Sequence, residues 1–303
     1  MINAFIANIL PHMPRSFVWI FSQRYIAGET INDGLRAARE LNEKGVLVTV
    51  DLLGEYLKNI EEAAQNKEHY LAIIEEFTSA GVQGNFSLKP TMFGLLIDKE
   101  VCYNHIREVV ALAAQRKSFV RIDMEDSQCV DLEIALYLRL LQEFPKSVGL
   151  VLQSYLRRTP ADLQHLISHH TVDAPLNFRL CKGIYVEPKE IAWKGYSEVQ
   201  QAFLELLETM FKNQIYVGIA THDKMLIDGA CDLIERYKVP VDKVEFQMLY
   251  GVTPDLRSAV MAKGYTMRVY VPFGKEWFGY STRRLKENPK VASHIIKALF
   301  FRG

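Results

Sequence analysis

A chain of 303 residues with 49% hydrophobic content can bury an extensive core, as one large domain or two ordinary ones, which excludes a disordered protein. Lys plus Arg equals Asp plus Glu at 36 each, so no global field draws the chain to nucleic acid or an anionic membrane, and any anion site must be local. Cys102, Cys129, Cys181 and Cys231 lie dozens of residues apart with no CxxC pair, which argues against a zinc site or disulfide framework and for a reducing, cytoplasmic compartment.

The first stretch, MINAFIANILPHMPRSFVWIFSQRYIAG, is apolar but interrupted by Pro11 and Pro14, and it lacks a basic start or a clear cleavage site, so it does not read as a signal peptide. No run reaches the ~18 apolar residues that span a bilayer. Residues 1–45 are predicted to form a helical extension packed on the domain, with peripheral contact to a membrane surface as the alternative.

From residue 46 one pattern recurs: an apolar, often β-branched run, a polar end, then a helical stretch. The runs are VLVTVDLLG (46–54), GNFSLKP (84–90), SFVRIDMED (118–126), VGLVLQSYL (148–156), LNFRLCKGIY (176–185), IYVGIATHD (215–223), VEFQMLYG (244–251) and YTMRVYVPFG (265–274). Between them lie segments with helical periodicity, such as YLKNIEEAAQNKEHYLAIIEEFTSA, HIREVVALAAQR, LEIALYLRLLQEF and VQQAFLELLETMF. Eight such units in this length predict an α/β fold, a (βα)8 TIM-type barrel over residues 46–303. The open doubly wound alternative wants a glycine-rich turn after the first strand, and VDLLGEYL is not GxGxxG.

Chemistry on such a barrel sits at the carboxyl ends of the strands. Those ends carry Asp51, Lys89, Asp123 with Glu125, Gln153, Arg179 with Lys182 and Tyr185, Thr221 with His222 and Asp223, Gln247, and Tyr270. Asp51 fits a helix cap, and Gln153 and Gln247 are amides inside apolar runs that need either structural partners or a ligand. Lys89 is kept extended by Pro90 and predicted to point over the mouth. Arg179 and Lys182, three apart in an apolar run, need anionic partners, which Asp123 and Glu125 or a bound cofactor would supply. A divalent metal on Asp123, Glu125, His222 and Asp223 is disfavoured by the cations on the same rim, so no metal is assigned. Schiff-base chemistry at Lys89 or Lys182 stays open on these grounds. In the final segment Tyr280, Arg283, Arg284 and Glu287 fall at i, i+3, i+4 and i+7, one charged helix face following the last strand and placed to fold over the mouth.

FRLCKGIY (178–185), VRIDMED (120–126), GLVLQSYLRRT (149–159), ATHD (220–223), FQMLYG (246–251) and RVYVPFGKEWFGYSTRRLKENP (268–289) together resemble the proline dehydrogenase family, from about Arg24 to the C-terminus and in the family's motif order. One departure is FRLCKGIY, where the family more often has valine before the lysine and alanine before the tyrosine, changes that bear on the pocket floor at Ile184. The resemblance implies a distorted barrel that binds FAD without a Rossmann fingerprint and oxidises L-proline to Δ1-pyrroline-5-carboxylate, with a quinone as electron acceptor. It places Arg179 beside flavin N5, Gln153 at the flavin's polar edge, Lys182, Thr221 and His222 along the phosphate, ribityl or adenine end, and Gly183, Gln247 and Glu287 in the cofactor set. Tyr185, Leu249, Tyr270 and Tyr280 would wall the substrate pocket. Arg283, Arg284 and Lys89 would hold the substrate carboxylate, with Asp123 nearby and Glu287 orienting Arg283. The next oxidation would fall to a separate pyrroline-5-carboxylate dehydrogenase.

Overall fold

The computed structural model describes residues 15–287, except that the side chains of residues 16, 17, 20, 21 and 283–287 lie outside the description. In chain order the elements are α1 (Arg15–Ser22), α2 (Ile31–Asn42), β1 (Leu47–Leu52), α3 (Glu61–Ser79), β2 (Gly84–Leu88), α4 (Lys99–Gln115), β3 (Val120–Ile122), α5 (Val130–Glu143), β4 (Val148–Gln153) and α6 (Thr159–Ile167). They continue with β5 (Asn177–Cys181), α7 (Tyr196–Lys212), β6 (Tyr216–Ala220), α8 (Lys224–Tyr237), β7 (Val244–Leu249), α9 (Pro254–Ala262), β8 (Met267–Phe273) and α10 (Trp277–Glu287). The eight strands pair in parallel in sequence order, and β8 closes on β1 with Leu47 opposite Arg268 and Leu52 opposite Phe273.

Strands covered on both faces read as continuous apolar runs rather than alternating ones. β4, VGLVLQ, is buried along its whole length for that reason. Run 118–126 yields only Val120–Ile122 as strand, and the residues that follow, Asp123 and Met124, line the cavity at the strand ends. The helices pack through stripes such as Tyr70, Ile73, Ile74 and Phe77 of α3, which belong to the same core as the strands.

Two helices pack beside β8, one along the barrel wall and one reaching the mouth through Tyr280. Helix α2 starts at a capping box in which Asp33 N–H donates to Thr30 Oγ1 (3.2 Å) and Thr30 N–H donates to Asp33 Oδ2 (3.1 Å), and it packs on β1 and β8. Gly34 permits that approach, since a Cβ there would lie 3.1 Å from the Phe273 ring. Helix α10 is held from outside by α1: the Trp19 and Trp277 rings lie 4.7 Å apart, the Arg15 guanidinium lies 5.5 Å from the Trp277 ring, and the Trp277 indole N–H donates to Glu29 (2.6 Å). Among the described residues no helix is long and apolar enough to cross a membrane.

Candidate active site

At the carboxyl ends of the strands opens a cavity of about 780 Å3. Of the residues singled out in the sequence, Lys89, Asp123, Gln153, Arg179, Lys182, Gly183, Tyr185, Thr221, His222, Gln247, Leu249, Tyr270 and Tyr280 line it. Arg283, Arg284 and Glu287 belong to α10, the helix that carries Tyr280 into the cavity, but their side chains lie outside the described part.

The cavity floor is one hydrogen-bonded network. Lys89 Nζ donates to both oxygens of Asp51 (3.0 and 3.2 Å) and to the Tyr270 hydroxyl (3.5 Å), and lies 3.7 Å from Asp123 Oδ2. Tyr270 O–H donates to Asp123 Oδ2 (2.8 Å). Arg179 Nη1 donates to Asp123 Oδ1 (2.9 Å) and Ser87 Oγ (3.2 Å), while its Nε–H donates to Gln247 Oε1 (2.6 Å). Burial pushes the Asp51 carboxyl up to about 6 against the pull of Lys89. Burial also pushes the Lys89 ammonium down, but Asp51 and Asp123 outweigh it and hold the group above its ordinary value. An ammonium so stabilised is not the desolvated amine that Schiff-base chemistry needs.

Several expectations change here. Asp51 is not a helix cap: it is fully buried under Lys89, and α3 begins only at Glu61. Glu125 forms no ion pair with the described rim cations; its carboxyl group instead accepts from Thr91 N–H (2.9 Å) and Thr91 Oγ (2.6 Å). Lys182 lies one residue beyond β5 and donates to Asp223 (2.7 Å). Although burial pushes it up, Asp223 is held at about 2 by hydrogen bonds from Lys182, Tyr196 and Gln200. His222 Nε2 accepts from Leu249 N–H (2.9 Å), and Thr221 Oγ accepts from Asp223 N–H (3.1 Å).

The donor set fits a flavin. The Gln153 amide nitrogen is committed to the Met124 and Glu125 carbonyls (3.2 and 2.7 Å), which leaves its oxygen as the end able to meet a ligand N–H. Gly183 has φ +103, and a Cβ there would lie 2.1 Å from the Tyr155 ring, so the turn beside the cavity stays bare. The cavity volume falls among ordinary ligand sites.

Residues outside the sequence expectations also contribute. Ser87, Glu55 and Tyr196 join the network or line the cavity. Ser87 alternates with Asn85 on β2, a period-2 signal for an inward face that was legible; Tyr196 opens α7 and has no such signal.

Fold and site together define a (βα)8-barrel enzyme with a charged, networked pocket at the strand ends. The family described as Proline dehydrogenase matches residues 34–297. Proline dehydrogenase 1 of Bacillus subtilis (strain 168) is 34% identical over 278 residues, covering 92% of this chain and 90% of its own length. Proline dehydrogenase of Deinococcus radiodurans is 32% identical over 291 residues, covering 95% and 92%. Among solved structures, proline utilization A (PutA) of Bdellovibrio bacteriovorus superposes with a TM-score of 0.83 at 24% identity over 88% of this chain, which spans only 32% of that longer protein. The chain belongs to the proline dehydrogenase family.

Proposed function

We propose that residues 46–303 form the catalytic unit of a flavoenzyme that oxidises L-proline to Δ1-pyrroline-5-carboxylate, the first step of proline catabolism, with residues 1–45 as a helical extension. FAD bound in the cavity would supply the hydride acceptor, at N5, for the ring carbon beside the proline nitrogen. Gln153, Arg179, Lys182, Gly183, Thr221, His222, Gln247 and Glu287 would hold the cofactor. Tyr185, Leu249, Tyr270 and Tyr280 would exclude water around the pyrrolidine ring, and Arg283, Arg284 and Lys89 would bind the carboxylate by charge-assisted bonds. Lys89 has three N–H bonds, so it can keep Asp51 and turn one proton to the substrate. The amine must be neutral to give up hydride, and neighbouring cations favour loss of its proton to solvent.

Carrying this reading is the convergence of Lys89, Arg179, Gln153, Lys182 and His222 on one cavity in a chain of this family. A quinone would take the electrons, peripheral contact with the cytoplasmic face of a membrane would bring the enzyme to it, and a separate dehydrogenase would consume the product. The test is to purify the protein and add L-proline anaerobically. Yellow protein whose flavin bands bleach supports the proposal; colourless protein, or bands unchanged by proline, sinks it.

A further inference from the structure

Behind Arg179 a second set of charges runs down into the barrel. Arg268 on β8 donates from Nε to Glu245 Oε1 on β7 (2.7 Å) and from Nη1 to the Val48 carbonyl (2.8 Å). Gln247 Nε2 donates to the same Glu245 oxygen (2.6 Å), and Gln247 Oε1 accepts from Arg179 Nε–H. Glu245 and Gln247 are two apart on one strand and therefore share the interior face. Burial pushes the Glu245 carboxyl up, but Arg268 reverses this and keeps it below its ordinary value, hence ionised and acceptor-only.

An amide has two chemically different ends, and something must decide which faces Arg179. Glu245 decides it: a carboxylate accepts only from the NH2 end, so the oxygen is turned to Arg179. The strand register makes room for this. Arg179 lies opposite Gly218, and Gly218 opposite Glu245, so the Gln247 side chain spans from β7 across the bare β6 position to β5. A Cβ at Gly218 would lie 2.2 Å from Gln247 Nε2.

We propose that Arg268 and Glu245 are positioning residues, which fix the orientation of the Gln247 amide and through it the place of the Arg179 guanidinium at the cavity. This rests on the proposed proline oxidation only where activity is read. Glu245→Gln removes the orienting charge, but it leaves Arg268 buried without its carboxylate and endangers folding. Gly218→Ala is the second variant, since it displaces the amide without altering any charge.

The measurement is the Arg179 side-chain Nε–H resonance in the full chain, assigned by its loss in Arg179→Lys, together with steady-state proline kinetics. The signal is expected to move in both variants, with kcat falling about 100-fold and KM staying within about threefold, as for a group misplaced by about 1 Å rather than lost binding. An unmoved signal in folded Gly218→Ala overturns the relay whatever the activity, and so does a moved signal with unchanged kcat in an active parent. If the parent never oxidises proline, the proposed function falls and the resonance alone decides the relay.

Discussion

The Asp51 and Lys89 pair allows a stability prediction with a sign that a mere list of contacts would not give. At 3.0 Å the gross attraction is about 5 to 6 kcal/mol at an effective dielectric of about 20, and desolvation of both groups opposes it. The two single substitutions are unequal. In Lys89→Met the buried carboxyl, already pushed up to about 6, takes a proton and becomes neutral, so the loss is about 1 to 2 kcal/mol. In Asp51→Asn the ammonium stays in the floor with Asp123 at 3.7 Å as its nearest remaining carboxylate, and the loss is about 3 to 5 kcal/mol. The double variant has two neutral near-isosteres and no stranded charge, so it is expected to be more stable than Asp51→Asn alone, with a coupling of about 2 to 3 kcal/mol. Urea midpoints at constant slope for the four proteins measure this directly. Additivity within about 0.5 kcal/mol would refute the pairing as an energetic unit.

Glu125 gives a pH dependence. Burial raises its carboxyl from 4.5 to about 7 despite the Thr91 hydrogen bonds, so the fold favours the neutral acid. Its contribution is therefore fully present below pH 4.5 and is lost as pH rises through about 7, a change of about 3 kcal/mol. Glu125→Gln should flatten stability across that window, and an unaltered slope in denaturant midpoints would show another group responsible. Gly183→Ala forces a side chain into φ +103 against Tyr155, and should lose about 1 to 3 kcal/mol and lower the flavin content of the purified protein; full flavin occupancy would contradict the bare-turn argument. Arg283→Lys and Arg284→Lys replace a two-bond fork by a point charge, and each should raise KM for proline about tenfold with kcat little changed. An unchanged KM in both would remove the carboxylate clamp.

The eight strands were legible because buried parallel strands leave β-branched runs that need no partner to be recognised. Their ends were less so. Helical periodicity begins at Tyr56, yet α3 starts at Glu61, because Tyr56 takes φ +51 and gives its N–H to Thr91 Oγ (3.0 Å), a tertiary contact that overrides local preference. Which acid meets which base was not legible either. Asp123 and Glu125 are alike in the sequence, two apart at one strand end, but the chain turn after Ile122 aims the first at Arg179 and the second at Thr91. Glu245 and Arg268 carried a signal, a charge inside each of two apolar runs, but without register nothing joined them to Gln247.

Register also decides where the charge for an anionic ligand must come from. Around the cavity Lys89, Arg179 and Lys182 face Asp123, Asp223 and Glu55, with Asp51 beneath Lys89, so the described floor has no positive surplus. An amino acid whose nitrogen has lost its proton is a net anion, and such a floor would repel it at short range. On the proposed reading that charge would come from α10, whose sequence sets Arg283 and Arg284 against Glu287 on the turn after Tyr280. The same helix would then both bind the carboxylate and favour the neutral amine, because a cation stabilises the first and disfavours the ammonium form of the second. On the proposed reading the arginines would not reinforce a positive pocket; they would convert a balanced one into an anion site.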